Sequence, residues 1–177
     1  GAPPVACVLV CNGTLRLDSC NVVSAGEGVV ADPAAHAAVV SCDVSSVLSG
    51  FVAAGGELSG CAVSSAAADG APTDAVFAAV TILGGQAQVL NSRVVYGAAH
   101  GVAVLDGAEG CVRECVVASN AGAGVCVGTG ARPSVEGCLI ADNGGHGVAM
   151  YGGGCASVSR CEVQGNAHSG VDVAGGG

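Results

Sequence analysis

The chain has 177 residues and a formal charge of −9, with no lysine and five arginines. That balance excludes nucleic acid and anionic membrane surfaces as partners, because both are held mainly through cationic side chains. Hydrophobic residues make up 51% of the chain but aromatics only 2%, and there is no Trp. A core without large rings must be narrow and filled in layers by Val, Ala, Leu and Cys. The 31 glycines carry no three-residue period, which excludes collagen and assigns them to tight turns at positive φ.

In chain order, an apolar run from Val5 closes on an Asn12-Gly13 turn signal. Leu17, Cys20 and Val22 then open a pattern, apolar-x-x-Cys-x-apolar, that recurs downstream. Gly28-Val29 and Gly50-Phe51 anticipate later Gly-Val pairs, and Cys42 follows Cys20 by 22 residues. The Ala-rich residues 31–38, with Pro33 and His36, read as a connection into a strand at Val39. From Cys42 to Cys61 the interval shortens to 19, and from Cys61 to Ser92, the equivalent position, it lengthens to 31. The extra residues form a loop insertion at 64–74, rich in Ser, Ala, Asp, Gly, Pro and Thr. Repeat folds place such insertions on the surface, often on the binding face.

Beyond Ser92 the chain repeats every 23 residues. Cys115, Cys138 and Cys161 form one column, and Asn120, Asn143 and Asn166 another. Gly124, Gly147 and Gly170 keep the same interval, as do Val112, Val135 and Val158, and Val125, Val148 and Val171. A fixed period in this range marks a stacked repeat architecture. Within each unit apolar residues alternate, β-branched Val dominates, and Gly or Asn punctuates every five to eight residues. Those are strand signals, and no unit is long enough between glycines for a helix. The expected fold is all-β: a right-handed single-stranded parallel β-helix (β-solenoid) of about seven coils of ~23 residues. Residues 1–177 are expected to form a single domain within a longer chain. The glycine-rich 174–177, still in repeat register, leads us to expect a neighbour over the last coil.

Eleven cysteines is a high and odd number. None lies in a C-x-x-C pair, and Cys111 with Cys115 is only a C-x-x-x-C, so no zinc site is expected. Six of the eleven share one repeat position and should stack as buried free thiols. That reading favours a reducing, intracellular compartment. No signal peptide and no apolar run of transmembrane length are read, so membrane insertion is not expected.

The run AGVCVGTGARPSVEGCLIADNGGHGVAMYGGGCASVSRCEVQGNAHSGVDV at 123–173 resembles the right-handed parallel β-helix repeats of the pectate-lyase-like superfamily. It is most similar to the non-catalytic type found in the β-helix region of F-box substrate receptors and in spindle- and cilium-associated proteins. The shared features are a Gly-Val-x-Val strand, a following Gly and a Pro-containing approach to the next strand, as at 130–135. The resemblance implies a scaffold with protein partners and a cytoplasmic, ciliary or cytoskeletal setting. Its catalytic branch implies the alternative, a polysaccharide-active lyase, hydrolase or epimerase-like enzyme. The family's repeats commonly place Asn where this chain places Cys115, Cys138 and Cys161.

Chemistry of that kind needs paired carboxylates, or a base beside a cation. Asp106, Asp142 and Asp172 occupy different columns. Arg113 and Glu136 are one period apart and should form a surface ion pair, while Glu114 and Arg160 share a column two coils apart. His100 and His146 share a column with Ala123 between them, and His168 falls in the column of Gly145. The weak catalytic candidates are therefore Asp142, His146 and His168, near one turn, with no cofactor or metal expected. Only Tyr96 and Tyr151 could serve as stacking platforms for sugars, and the threonines form no ice-binding ladder. The leading expectation is a non-enzymatic structural scaffold for protein–protein interaction within a multi-subunit assembly covering the solenoid ends.

Overall fold

The computed structural model describes residues 6–66, 78–105 and 107–174. Successive strands visit three parallel sheets in turn, so each circuit of three strands is one coil. The first sheet has eight strands, from Ala6–Val10 to Val171–Val173. The second has seven, from Gly13–Asp18 to Ser157–Ser159, and the third seven, from Asn21–Ser24 to Glu162–Gln164. Every strand pairs with the equivalent strands one coil before and after, as Val125 with Val102 and Val148. The result is an all-β solenoid of about seven coils with no helix among the described residues.

The core follows from the alternation of Val and small residues. Val102, Val125 and Val148 stack inward from the first sheet, Val89, Val112 and Val135 from the second, and Val94, Val117 and Ile140 from the third. All nine are fully buried. Each layer meets its own kind above and below, so the interior needs no large ring. Among the described residues, Phe51 alone fills an inward position of the first sheet with an aromatic side chain.

Two of the three bends have a simple local origin. Between the second and third sheets the chain turns on one residue in the left-handed region, followed by an inward small polar side chain. The pairs are Ser19-Cys20, Ser41-Cys42, Gly60-Cys61, Asn91-Ser92, Glu114-Cys115, Gly137-Cys138 and Arg160-Cys161, with φ between 47° and 62–64°. Between the third and first sheets a left-handed residue again makes the bend, at Tyr96, Ser119, Asp142 and Gly165, followed by an inward Asn at 120, 143 and 166 and by Gly97 in the first of the four. Length varies elsewhere, in the turn from first to second sheet and at 66–77. The 64–74 insertion begins with Ser64 and Ser65 at the end of a third-sheet strand, and its remaining residues lie outside the described ones.

Two expectations change. Residues 31–38 are not a connection: Ala31 ends the strand Glu27–Ala31, residues 32–34 turn, and Ala35–Val40 is a six-residue strand. Alanines there face the core in alternation with outward His36 and Ala38. Nor do all column glycines serve positive φ. Gly124 is not left-handed; a Cβ there would lie 2.6 Å from the Ile140 side chain and 2.8 Å from Asn143 Nδ2. That column is Gly because the Asn column occupies its space.

Candidate functional site

The polar side chains that could carry chemistry lie at the bends, and most are committed to joining coils. Asn143 Nδ2 donates to Val117 O at 3.2 Å and to Asn166 Oδ1 at 2.9 Å. Its Oδ1 accepts from the Asn120 backbone N–H at 3.1 Å and from Asn120 Nδ2 at 2.9 Å. Asn120 Oδ1 in turn accepts from Gly97 N–H at 2.8 Å. The ladder satisfies backbone groups that the one-residue bend leaves without a strand partner.

The cysteine column behaves likewise, beyond the packing role read from the sequence. Each inward thiol sits against the carbonyl two residues back, across the bend: Cys42 Sγ on Val40 O at 3.1 Å, Cys115 on Arg113 O at 3.2 Å, Cys138 on Glu136 O at 3.3 Å. Cys42 Sγ also receives the Cys20 backbone N–H at 3.3 Å, and Ser92 Oγ that of Cys61 at 3.1 Å. Ser92 is thus the column's hydroxyl member, as its spacing implies. All eleven cysteines are free. The neighbouring Cys115 thiol, together with burial, pushes Cys138 well above the usual thiol range, and burial raises Cys61. These thiols stay protonated and are poor nucleophiles.

Arg113 Nε meets Glu136 Oε2 at 3.0 Å, the pair expected from the period. Arg160 bonds the other oxygen of Glu136, so one carboxylate is held between two guanidiniums on adjacent coils. Glu114 instead leans over Gly137 of the next coil.

The three candidate residues do share one bend region, but only two of them meet. The His146 and His168 rings lie 5.1 Å apart between centroids, tilted by 55°. Their register comes from the backbone, where His168 N–H donates to Gly145 O at 3.0 Å. His146 Nδ1 is buried without a hydrogen-bond partner, while His168 is exposed. Asp142 is an exposed left-handed bend residue, φ 54°, whose carboxylate leans over Gly165 rather than toward the imidazoles. His100, two coils before His146, accepts the Ala123 N–H on Nδ1 at 3.0 Å, and burial lowers its pKa. Among the described residues no three His, Cys, Asp or Glu side chains gather as a metal site.

Residues 78–177 match the family model described as a right handed beta helix region. The chain belongs to the right-handed β-helix family. No curated protein and no solved structure matches it.

This β-helix carries one concavity that the candidate residues do not describe. In the third coil only residues 54–55 join the first sheet to the second, where the flanking coils use 32–34 and 84–87. The short turn leaves a notch of about 700 Å³ between taller neighbours, lined by His36, Gly55, Glu57, Leu83, Gln86 and Gln88 among others. The 19-residue interval from Cys42 to Cys61 was its signal in the sequence: a missing stretch of turn is a gap in a wall. A second feature is the outer face of the third sheet, where Val116, Ala118 and Leu139 form an apolar strip beside the buried Ala141.

Proposed function

We propose that this β-helix is a non-enzymatic scaffold and protein-recognition surface within a larger assembly, of the kind the pectate-lyase-like superfamily contains in its non-catalytic branch. The observation that carries the reading is where the polar side chains are spent. The Asn and Cys columns hold coil to coil, Glu136 is neutralised by Arg113 and Arg160, and what remains outward is a rigid surface of small side chains. Eleven free thiols support an intracellular, reducing setting. The test is size fractionation of a freshly cross-linked extract. The chain should migrate in an assembly larger than itself or its dimer, and a strictly free chain overturns the reading.

A second reading, a polysaccharide-active enzyme, has one observation in its favour: the contact of His146 with His168, with His146 Nδ1 buried and unpartnered. Turnover of a uronate polymer that disappears in His146→Ala would establish it. Absence of turnover across such polymers removes it.

A further inference from the structure

We infer that the outer face of the third sheet pairs two copies of this chain, with their solenoid axes antiparallel. The inference rests on the scaffold reading and names its surface and partner. The face is built from two outward columns over four consecutive coils. One reads Arg93, Val116, Leu139, Glu162, and supplies most of the exposed area; the other reads Val95, Ala118, Ala141, Gln164, of which Val95 and Ala141 are already buried within the chain. The inner coils are apolar in both columns, and the charges stand at opposite ends, a cation on the first coil and an anion on the fourth.

That order is self-complementary. A two-fold axis parallel to the strands, midway between Val116 and Leu139, sets the first coil of one copy against the fourth of the other. Arg93 then meets Glu162 of the second copy, twice per dimer, and Val116 meets Leu139. Small Ala118 faces Ala141, which lets the sheets approach closely. The adjoining bend column follows the same exchange. Tyr96, 63% exposed and held at φ 56°, falls opposite Gly165 of the second copy, over which that copy's Asp142 carboxylate leans, and Ser119 falls opposite Asp142. A bulky side chain held in the left-handed region is uncommon, and here it projects beside the strip. The other two-fold, along the solenoid axis, would gather both Arg93 side chains at one level and both Glu162 at another. Charge therefore selects the antiparallel arrangement.

Four coils at ~4.8 Å by about 13 Å of strand is roughly 250 Å² per copy, well below the ~800 Å² of a standard interface. The dimer is accordingly a weak one, formed at high micromolar to millimolar concentration. Sedimentation velocity of the purified chain from ~10 µM to ~1 mM tests it. A concentration-dependent dimer is expected. Arg93→Glu and Glu162→Arg should each weaken it at least ~10-fold, and the double variant should restore it, because both pairs are rebuilt with reversed sign. Both positions are exposed, and far-UV circular dichroism verifies that the variants fold. A monomer throughout, a dimer indifferent to the single variants, or a double variant that fails to recover would each overturn the inference. A chain monomeric when purified yet found in a large assembly in extract overturns this pairing alone. A chain that dimerises when purified yet joins nothing larger in extract overturns the scaffold reading alone.

Discussion

Replacing Asn143 by Ala removes the rung that joins three coils. The side chain makes four hydrogen bonds, and one of its partners, the Asn120 backbone N–H, has no strand acceptor to fall back on. Asn143 is itself 1% exposed, so water cannot enter without disturbing the neighbouring layers. An orphaned buried group costs about 1–3 kcal/mol, and losing the side-chain rungs to Asn120 and Asn166 puts the total toward the upper end of that range. Against a usual domain stability of ~5–15 kcal/mol this is a large fraction. Urea unfolding followed by far-UV circular dichroism measures it, and hydrogen exchange at the Asn120 amide locates it. Asn143→Asp sharpens the argument. Its carboxylate keeps both acceptor bonds but sets an anion against Val117 O and Asn166 Oδ1, so it should cost more than Ala at pH 7 and recover on acidification as the carboxyl protonates. If Asn143→Ala stays within about 1 kcal/mol of the parent with the Asn120 amide still protected, the ladder is not what holds the bend.

Cys138→Ser should fall within about 1 kcal/mol of the parent, because Ser92 already fills this column, accepting the Cys61 N–H and donating to Leu90 O at 2.7 Å, whereas Cys138→Val should lose about 1–3 kcal/mol by leaving the Cys115 backbone N–H without its sulfur acceptor. Urea midpoints compare the two. Val148→Asp places an unpaired charge at a fully buried position between Val125 and Val171, and should cost more than ~4 kcal/mol or prevent folding. Near-parental thermal stability for that variant would mean the register is wrong. Burial holds the His100 pKa below its ordinary 6.5. The unfolded chain therefore binds the extra proton first, and His100's stabilisation is complete above about pH 6.5 and declines as pH falls from there through the lowered folded value. Melting temperatures from pH 7.5 to 5 should drop less steeply in His100→Gln than in the parent, and parallel curves would contradict the assignment.

The architecture was legible because in-register stacking makes sequence period and space the same thing. Cys115, Cys138 and Cys161 are neighbours in the chain's arithmetic and in the solenoid. The same arithmetic paired Arg113 with Glu136, set His168 beside Gly145 and identified Ser92 as a cysteine equivalent. It missed what depends on conformation at a single residue. Arg160 reaches Glu136 from one position out of column because it is itself the left-handed bend residue. Nothing in the residue types Tyr96, Glu114 and Arg160 announces that shared conformation, which is held openly by glycine at Gly60, Gly137 and Gly165 and by Asn91, a residue type that tolerates it. The candidate site was legible as a neighbourhood and not as a constellation. Column positions brought His146 to His168, but the direction of the Asp142 side chain is set by the bare Gly165 beside it. The stacked thiols stay free for a geometric reason: in-register strands keep their Cβ atoms ~4.8 Å apart, beyond the ~3.5–4.5 Å of a disulfide.

The ladders point one way along the axis. The bend N–H of Gly97 is satisfied by Asn120, that of Asn120 by Asn143 and that of Asn143 by Asn166, while Cys20 waits on Cys42 and Cys61 on Ser92. Each coil is completed by the one synthesised after it. A chain cut between any two of these coils would therefore leave the last bend N–H without its acceptor on the C-terminal side, whereas the first coil would lose no acceptor from a cut before it.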